Sequence, residues 1–505
     1  MNDRKGNGHA SGTSAAVTAE TPRIVDLIIA RGSVVTMDAD RRVIEDGSVA
    51  IDAGRIVAVG PADEIERDYR AHKTINARRK VIMPGLHDLH SHAGVELVKG
   101  AAERFPGKAW RNIMDFVAYH TSEEWWYVEA LLTAVQRLRA GTTQALYMLG
   151  NAPRGDAPEI PNAHAKGVEK VGLRSVMAFG PSRPPWPREY TYWKNGRRVE
   201  RMVTMEETFE VTDHTIGTWN DAHPDGRVKM WVAVSRVLNE NYADQVYDPQ
   251  NESLIKPQAA GIRRIMDKHK VGFHAHGMGT TAEYCYDADL GLLGPNTVFG
   301  HGWPFRERSV EILAETDTRV VHCPRARRVY FFKGRLPIPE LIDAGVLVGL
   351  GSDACGMDRP YDSIWEDMFM APRWQRLALN DPSILPPGKV LEMATIDGAK
   401  IVGMDHRTGS IEVGKEADVI IVNMWKPHLV PFAMETSRLA HYARGPDVET
   451  VIVQGEVLME DRKVLCVDED EIMEWAQAEA EHTCEVFGLH PILRPSARHW
   501  GHSQE

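Results

Sequence analysis

Between residues 81 and 405 the chain alternates short β-branched runs with longer amphipathic stretches, and this alternation leaves few folds open. Strands are expected over 81–86, 143–149, 173–179, 229–235, 271–275, 296–300, 318–322 and 346–351, eight in all. Helical patterns lie between most of them, over 123–139, 161–170, 206–221, 256–270, 307–315 and 337–344. Eight strand–helix units close into a (β/α)8 TIM barrel, whose working residues sit at the C-terminal ends of the strands. The rival, an open doubly wound sheet, lacks its Gly-x-Gly-x-x-Gly turn after the first strand.

Residues 1–22 carry Gly, Ser, Ala, Thr and charge without periodicity, and are expected to be a disordered tail. Short alternating runs follow, punctuated by Gly32, Gly47, Gly54 and Gly60, and a matching pattern returns at 417–422 and 451–459. Both chain ends are therefore expected to build one small β-sandwich domain from 23–80 plus 406–466, with the barrel at 81–405 inserted into it. Residues 467–505 read as an acidic helical tail.

The net charge of −12 has no compensating basic run, since Arg78-Arg79, Arg197-Arg198 and Arg327-Arg328 are isolated pairs. Nucleic acid is not an expected partner. No apolar stretch approaches the roughly 20 residues that span a bilayer, and the N-terminus lacks a basic region followed by an apolar one. A cytoplasmic homo-oligomer without a membrane partner, acting on a small molecule, is expected. Cys285, Cys323, Cys355, Cys466 and Cys484 are odd in number and widely spaced, as free thiols are.

The chemistry is announced by Pro84-Gly85-Leu86-His87-Asp88-Leu89-His90-Ser91-His92. Residues two apart in an extended chain point to the same side, so His90 and His92 can reach one metal ion together. Imidazole nitrogen suits zinc and other borderline divalent metals. Later strands supply more candidates at their ends: His274 and His276 on the fifth, His301 on the sixth, His322 on the seventh and Asp353 after the eighth. A lone histidine at a strand end is usually structural, but five strands converging on one rim are much less easily accidental.

These residues, and the segments PGLHDLHSH, FHAHG, FGHGWPF, AETDTRVVHCP, PIPELIDAGVLVGLGSDACG and TGSIEVGKEADVIIV, resemble the amidohydrolase superfamily. The likeness covers about 24 to 460 and is greatest to the branch of cyclic deaminases and triazine-type chlorohydrolases. It implies that His90, His92, His274 and Asp353 bind one divalent metal, zinc first and iron, manganese or cobalt as alternatives. It also implies that His301 and Asp353 move protons. Deaminases of this branch carry a Glu three residues after the fifth-strand ligand, whereas this chain has Gly277 after His274 and Gly279 after His276. Which of the two histidines ligates is open, with His274 favoured. Two-metal relatives add a carboxylated lysine or an acid from an earlier strand end. Lys229 opens the fourth strand, about 20 Å from the rim at ~3.3 Å per residue, so one metal is the better reading.

His276, His322, Trp303 and Arg325 are candidate substrate contacts, and Tyr330, Cys355, Phe105 and Trp110 could shape the pocket or merely pack. The aromatic detour over 181–205 could cover a substrate or pack on the barrel or a neighbour. The expected activity is hydrolysis of an amide, urea or carbamate C–N bond, with deamination or dechlorination of an N-heterocycle as the alternative. An inactive scaffold is the reading from another class, and the complete set of His90, His92, His274, His301 and Asp353 argues against it.

Overall fold

The computed structural model describes residues 21–99, 120–149, 154–181, 186–194, 197–237, 252–326, 335–354 and 363–488. Eight parallel strands stand side by side in chain order: Leu86–Ala93, Thr142–Leu149, Arg174–Phe179, Val228–Ala233, Phe273–Met278, Thr297–Trp303, Arg319–His322 and Val348–Leu350. A bridge between Ser91 and Asp353, with Asp353 N donating to His90 O at 2.8 Å, brings the eighth strand back to the first and nearly closes the barrel. Side chains alternate as barrel geometry requires. Leu89, Leu146, Val176, Ala178, Ala233, Val298 and Val321 fill the interior, while Ala145, Tyr147, Met177 and Phe179 join the shell of helices.

The first barrel strand differs from the expected 81–86. Lys80–Pro84 pairs with Val419–Asn423 in another sheet, and the barrel begins only at Leu86. The switch falls between two residues, because Gly85 N donates to Asp418 O at 3.1 Å and Leu86 N to Gly141 O at 3.0 Å. The Pro-Gly corner thus changes sheets rather than ending a strand, and His90 and His92 lie within the barrel ladder. Strands five and six also run past their expected ends to take in His276 and His301.

Helices Glu123–Arg139 and Glu307–Glu315 lie where the periodicity places them. Ser122 caps the former by accepting from Trp125 N. The detour at 181–205 contains an antiparallel hairpin, Arg188–Lys194 with Arg197–Val203, in which Tyr190 is buried.

Both chain ends meet in one nine-stranded sheet. Its centre is the antiparallel pairing of Lys80–Pro84 with Val419–Asn423. Leu27, Ile29, Val49, Ile82, Val419 and Ile452 share one buried cluster, so early and late strands enclose the same apolar core. The helix Glu469–Phe487 returns to Glu123–Arg139, where Arg139 meets Glu469 at 2.7 Å and Trp475 Nε1 donates to Glu124 at 3.0 Å. Among the described residues no helix is long and apolar enough to cross a membrane.

Candidate metal centre

Two overlapping sets of ligand atoms lie within 4.8 Å of one another: His90, His92 and Asp353, and His90, His276 and His301. All five residues are buried. They come from strands one, five and six and from the turn after strand eight, as the alternation of inward side chains at one rim dictates. Gly300 makes the approach possible, since a Cβ there would stand 2.8 Å from His90 Nδ1.

The tautomer of His90 follows from its neighbours. His274 Nδ1 lies 2.9 Å from Val298 O, which can only accept, so this nitrogen carries the proton and donates. Burial holds the ring far below the ordinary histidine pKa, so His274 is neutral and its Nε2 is an acceptor. His90 Nδ1, 2.7 Å away, must then donate to it. The lone pair of His90 is thereby left on Nε2, which is buried, has no hydrogen-bond partner among the described residues and faces Asp353 Oδ1 at 3.5 Å.

This chain of bonds engages both nitrogens of His274, which the sequence reading favoured as a ligand and which lies outside the two ligand sets. His276, two residues on, takes the inward position, with Nε2 3.1 Å from His92 Nε2. His92 Nε2 lies 3.3 Å from Asp353 Oδ1, and His301 Nε2 lies 3.6 Å from the same oxygen. Two atoms that each bind zinc at ~2.0–2.2 Å in tetrahedral geometry lie roughly 3.3–3.6 Å apart. The donor set and spacing therefore fit a divalent ion. Burial first, and then neighbouring imidazoles, also hold His276 well below its ordinary pKa; burial does the same to His301 against the pull of Asp353. Neutral rings are the form that ligates.

His301 and Asp353 both have positive φ, 74° and 58°. Left-handed backbone at two non-glycine residues in one buried site is strain that the surroundings must enforce. For Asp353 the enforcer is visible. Asp88 Oδ1 accepts from Ser352 N at 2.9 Å, and Asp88 Oδ2 accepts from Ser352 Oγ at 2.6 Å and Arg137 Nη2 at 2.9 Å. This buried bracket ties strand one to the turn that presents Asp353. The sequence reading passed over Asp88, although it stands two residues before His90 in the motif.

The remaining candidates sit apart from the ligand sets. His322 is buried at the end of strand seven, its ring 6.4 Å from that of Trp303. Arg325 is held by Asp367, with contacts of 3.1 and 2.8 Å, and by Glu366 at 3.3 Å. Lys229 Nζ donates to the carbonyls of His223 and Pro224 at the opening end of strand four. Cys285, Cys323, Cys466 and Cys484 are free thiols. Phe105, Trp110, Tyr330 and Cys355 lie outside the described residues.

Three residues beyond His276 stands Gly279, whose backbone is left-handed (φ 55°) and whose N donates to Trp303 O at 2.7 Å. Three beyond His274, a Cβ on Gly277 would stand 2.6 Å from Phe299 Cβ and 3.1 Å from Phe305 Cζ. Neither position carries a carboxylate.

Known proteins place this architecture. The family model described as "Amidohydrolase family" matches residues 81–458. A 5-methylthioadenosine/S-adenosylhomocysteine deaminase of Syntrophobacter fumaroxidans is 31% identical, over 89% of this chain and 96% of its own. A 5'-deoxyadenosine deaminase of Methanosarcina mazei is 30% identical, over 91% and 98%. An adenosine deaminase from Xanthomonas campestris with bound zinc superposes with a TM-score of 0.77 at 22% identity, over 92% of this chain and all of that one. An atrazine chlorohydrolase from Arthrobacter aurescens complexed with zinc gives 0.74 at 19%, over 90% and 100%. With a family model spanning the barrel and relatives aligned over nearly their whole length, this chain belongs to the amidohydrolase family.

Proposed function

We propose that the chain is a metal-dependent hydrolase that cleaves an amide, urea or carbamate C–N bond in a small molecule. His90, His92, His276 and Asp353 would hold one divalent ion per chain, zinc first, with His274 fixing the tautomer of His90 rather than ligating. An ion there supplies Lewis acidity and lowers the pKa of water toward 7. Asp353 is the carboxylate placed to take the proton of the attacking water. His301, facing the same Asp353 oxygen, is placed to polarise the attacked group or pass a proton to the leaving nitrogen. The nine-stranded sheet, folded over its shared core, would form a second, sandwich-like domain beside the barrel.

The observation that carries the amide-type reading is Gly279, three residues beyond His276, with left-handed backbone (φ 55°) and no side chain. Protonating a ring nitrogen from this position needs a carboxylate, and glycine cannot supply one. Deamination or dechlorination of an N-heterocycle is the second reading. The names of the adenosine-type relatives favour it, and it would need its ring proton from another residue. The test is amine and ammonia release by the zinc-loaded protein from amides, ureas and carbamates, against 5'-methylthioadenosine, adenosine and an aminotriazine. Faster turnover of the acyclic set is expected; faster release of ammonia from the heterocycles would reverse the order.

A further inference from the structure

Away from the metal centre, the outside of the molecule carries two charged faces. The first is basic. Arg373 and Arg376 stand one turn apart on helix Ile364–Leu379, and helix Glu435–His441, packed beside it, brings Arg438 and then Arg444 just beyond its end. The guanidiniums of Arg373 and Arg444 both lie over the ring of Phe369, 3.3 and 5.1 Å from its centre, and that of Arg438 lies 5.1 Å from the centre of Tyr442. Arg373 donates to Phe369 O, Arg376 to Ile384 O and Leu385 O, and Arg444 to Ala443 O, all of them backbone carbonyls. Among the described residues none of the four guanidiniums forms an ion pair with a carboxylate; Asp381, within reach of the Arg376 charge, accepts from Ser383 instead. Leu377, one turn beyond Arg373, and Tyr442 are exposed beside them. Arginine with aromatic and aliphatic side chains is the composition of a protein interface.

The second face is acidic. On helix Glu469–Phe487, Asp470, Glu474, Glu481 and Glu485 recur at intervals of four, seven and four residues, which sets them in one stripe. All four are exposed, while Ile472 and Ala476 are buried. Glu481 accepts from Gln477 at 2.6 Å, and no described cation forms an ion pair with any of the four. Met473 and Val486 are exposed on the same helix. The two faces adjoin: Glu469 opens the acidic helix against Arg139, and Arg462 Nη1 donates both to Arg139 O at 2.5 Å and to Gly445 O, beside Arg444, at 3.2 Å. Neighbouring faces of opposite charge on one rigid surface cannot meet each other, but they are self-complementary across a two-fold axis. We propose that the chain pairs with a second copy through these faces, the acidic helix of each lying on the arginine face of the other. At ~1.5 Å per residue the 19-residue acidic helix is about 28 Å long, enough to run the length of the 16-residue Ile364–Leu379.

The test is analytical sedimentation of the full chain at micromolar concentration, with circular dichroism on every variant. Wild type should be a dimer that weakens as salt is raised, since exposed charges are screened. Reversing the basic side in Arg373→Glu with Arg376→Glu, or the acidic side in Glu474→Lys with Glu481→Lys, should weaken association by on the order of 100-fold or more, because like charges then face each other. All four substitutions together should restore the dimer. A monomeric wild type overturns the proposal, as does a dimer indifferent to the acidic reversal, whose positions are exposed and leave the fold alone. A fourfold variant that keeps its fold but stays monomeric would mean that the two faces do not meet. Should Arg373→Glu with Arg376→Glu fail to fold, the acidic pair and the exposed Arg373→Glu by itself decide. Stabilisation of a monomer by inorganic phosphate, lost in Arg373→Glu, would make the basic face a small-anion site and sink the dimer.

Discussion

Two buried polar regions of this molecule serve opposite ends. At the junction of barrel and sheet, Arg174 is 1% exposed and donates to Asp418 Oδ2 at 2.7 Å and to Glu416. Asp418 Oδ1 also accepts from Gln454 N at 2.9 Å, and Glu416 Oε1 from Arg407 Nε at 2.8 Å. Every charge there meets its complement. At the rim, by contrast, His90 Nε2, His276 Nδ1 and His301 Nδ1 are buried with no hydrogen-bond partner among the described residues. An unsatisfied buried polar atom costs about 1–3 kcal/mol, and His90 Nε2 faces Asp353 Oδ1 at 3.5 Å, where a bound ion would repay it. The difference separates polar burial that joins domains from polar burial that awaits a ligand.

The sharpest way to break the comparison is at the two histidines of strand five. His276→Ala should abolish stoichiometric metal, whereas His274→Ala should leave one ion per chain with affinity lowered roughly 10–100-fold, as for a residue that orients a ligand. Metal analysis with competitive chelation reads both, and metal lost in His274→Ala but kept in His276→Ala would exchange their roles. His301→Ala should come next, lowering kcat by about 10²–10⁴-fold at unchanged metal content, the usual worth of a positioned acid or base. A second ion in wild type that disappears with His301 would turn it from proton carrier into ligand. The junction should respond in the other currency. Arg174→Met leaves buried Asp418 without its cation and Glu416 still paired with Arg407, and urea unfolding should show a loss of about 3–5 kcal/mol with metal stoichiometry intact. A stability change below ~1 kcal/mol would mean that the ion pair is replaceable.

What could be read from the sequence follows the same division. The histidines on strand ends and Asp353 are legible because a period of two and a barrel's single working rim fix where such side chains point. The His274 and His276 pair was not decidable that way, because both lie on one face of one strand. The Val298 carbonyl fixes the proton of His274 on Nδ1, and the contact of His90 Nδ1 with its Nε2 leaves His274 out of the two ligand sets. Arg325 shows a related limit: nothing in the sequence beside it points to Asp367, on a helix 42 residues later, which accepts from its guanidinium. The change of sheet at Gly85 was hidden because Pro84-Gly85 marks a corner without saying that the hydrogen bonds on its two sides go to different sheets. Asp88 needed no structure to be noticed, only the question of what holds the turn before Asp353.

The smallest of the expected effects concerns a histidine that belongs to neither region. His87 is 1% exposed at the foot of strand one, packed so closely on the helix Ile396–Ile401 that a Cβ on Gly398 would stand 2.8 Å from its own Cβ. Burial, aided by the nearby charge of Arg174, lowers its pKa to about 3 from an ordinary 6.5. Between those values the unfolded chain binds a proton that the folded chain refuses, so stability falls as pH drops through 6.5 and stops falling on this account near 3. Each pH unit in that window costs up to ~1.4 kcal/mol from this one group. Unfolding free energies of wild type and His87→Gln at pH 7.5 and pH 5 should therefore differ in slope, the variant losing about 1–2 kcal/mol less over the interval. The metal-site histidines complicate absolute stability in acid, but they are common to both chains and cancel in the difference. Equal slopes would mean that His87 accepts its proton in the folded state, and that the foot of the barrel opens to water more readily than its packing implies.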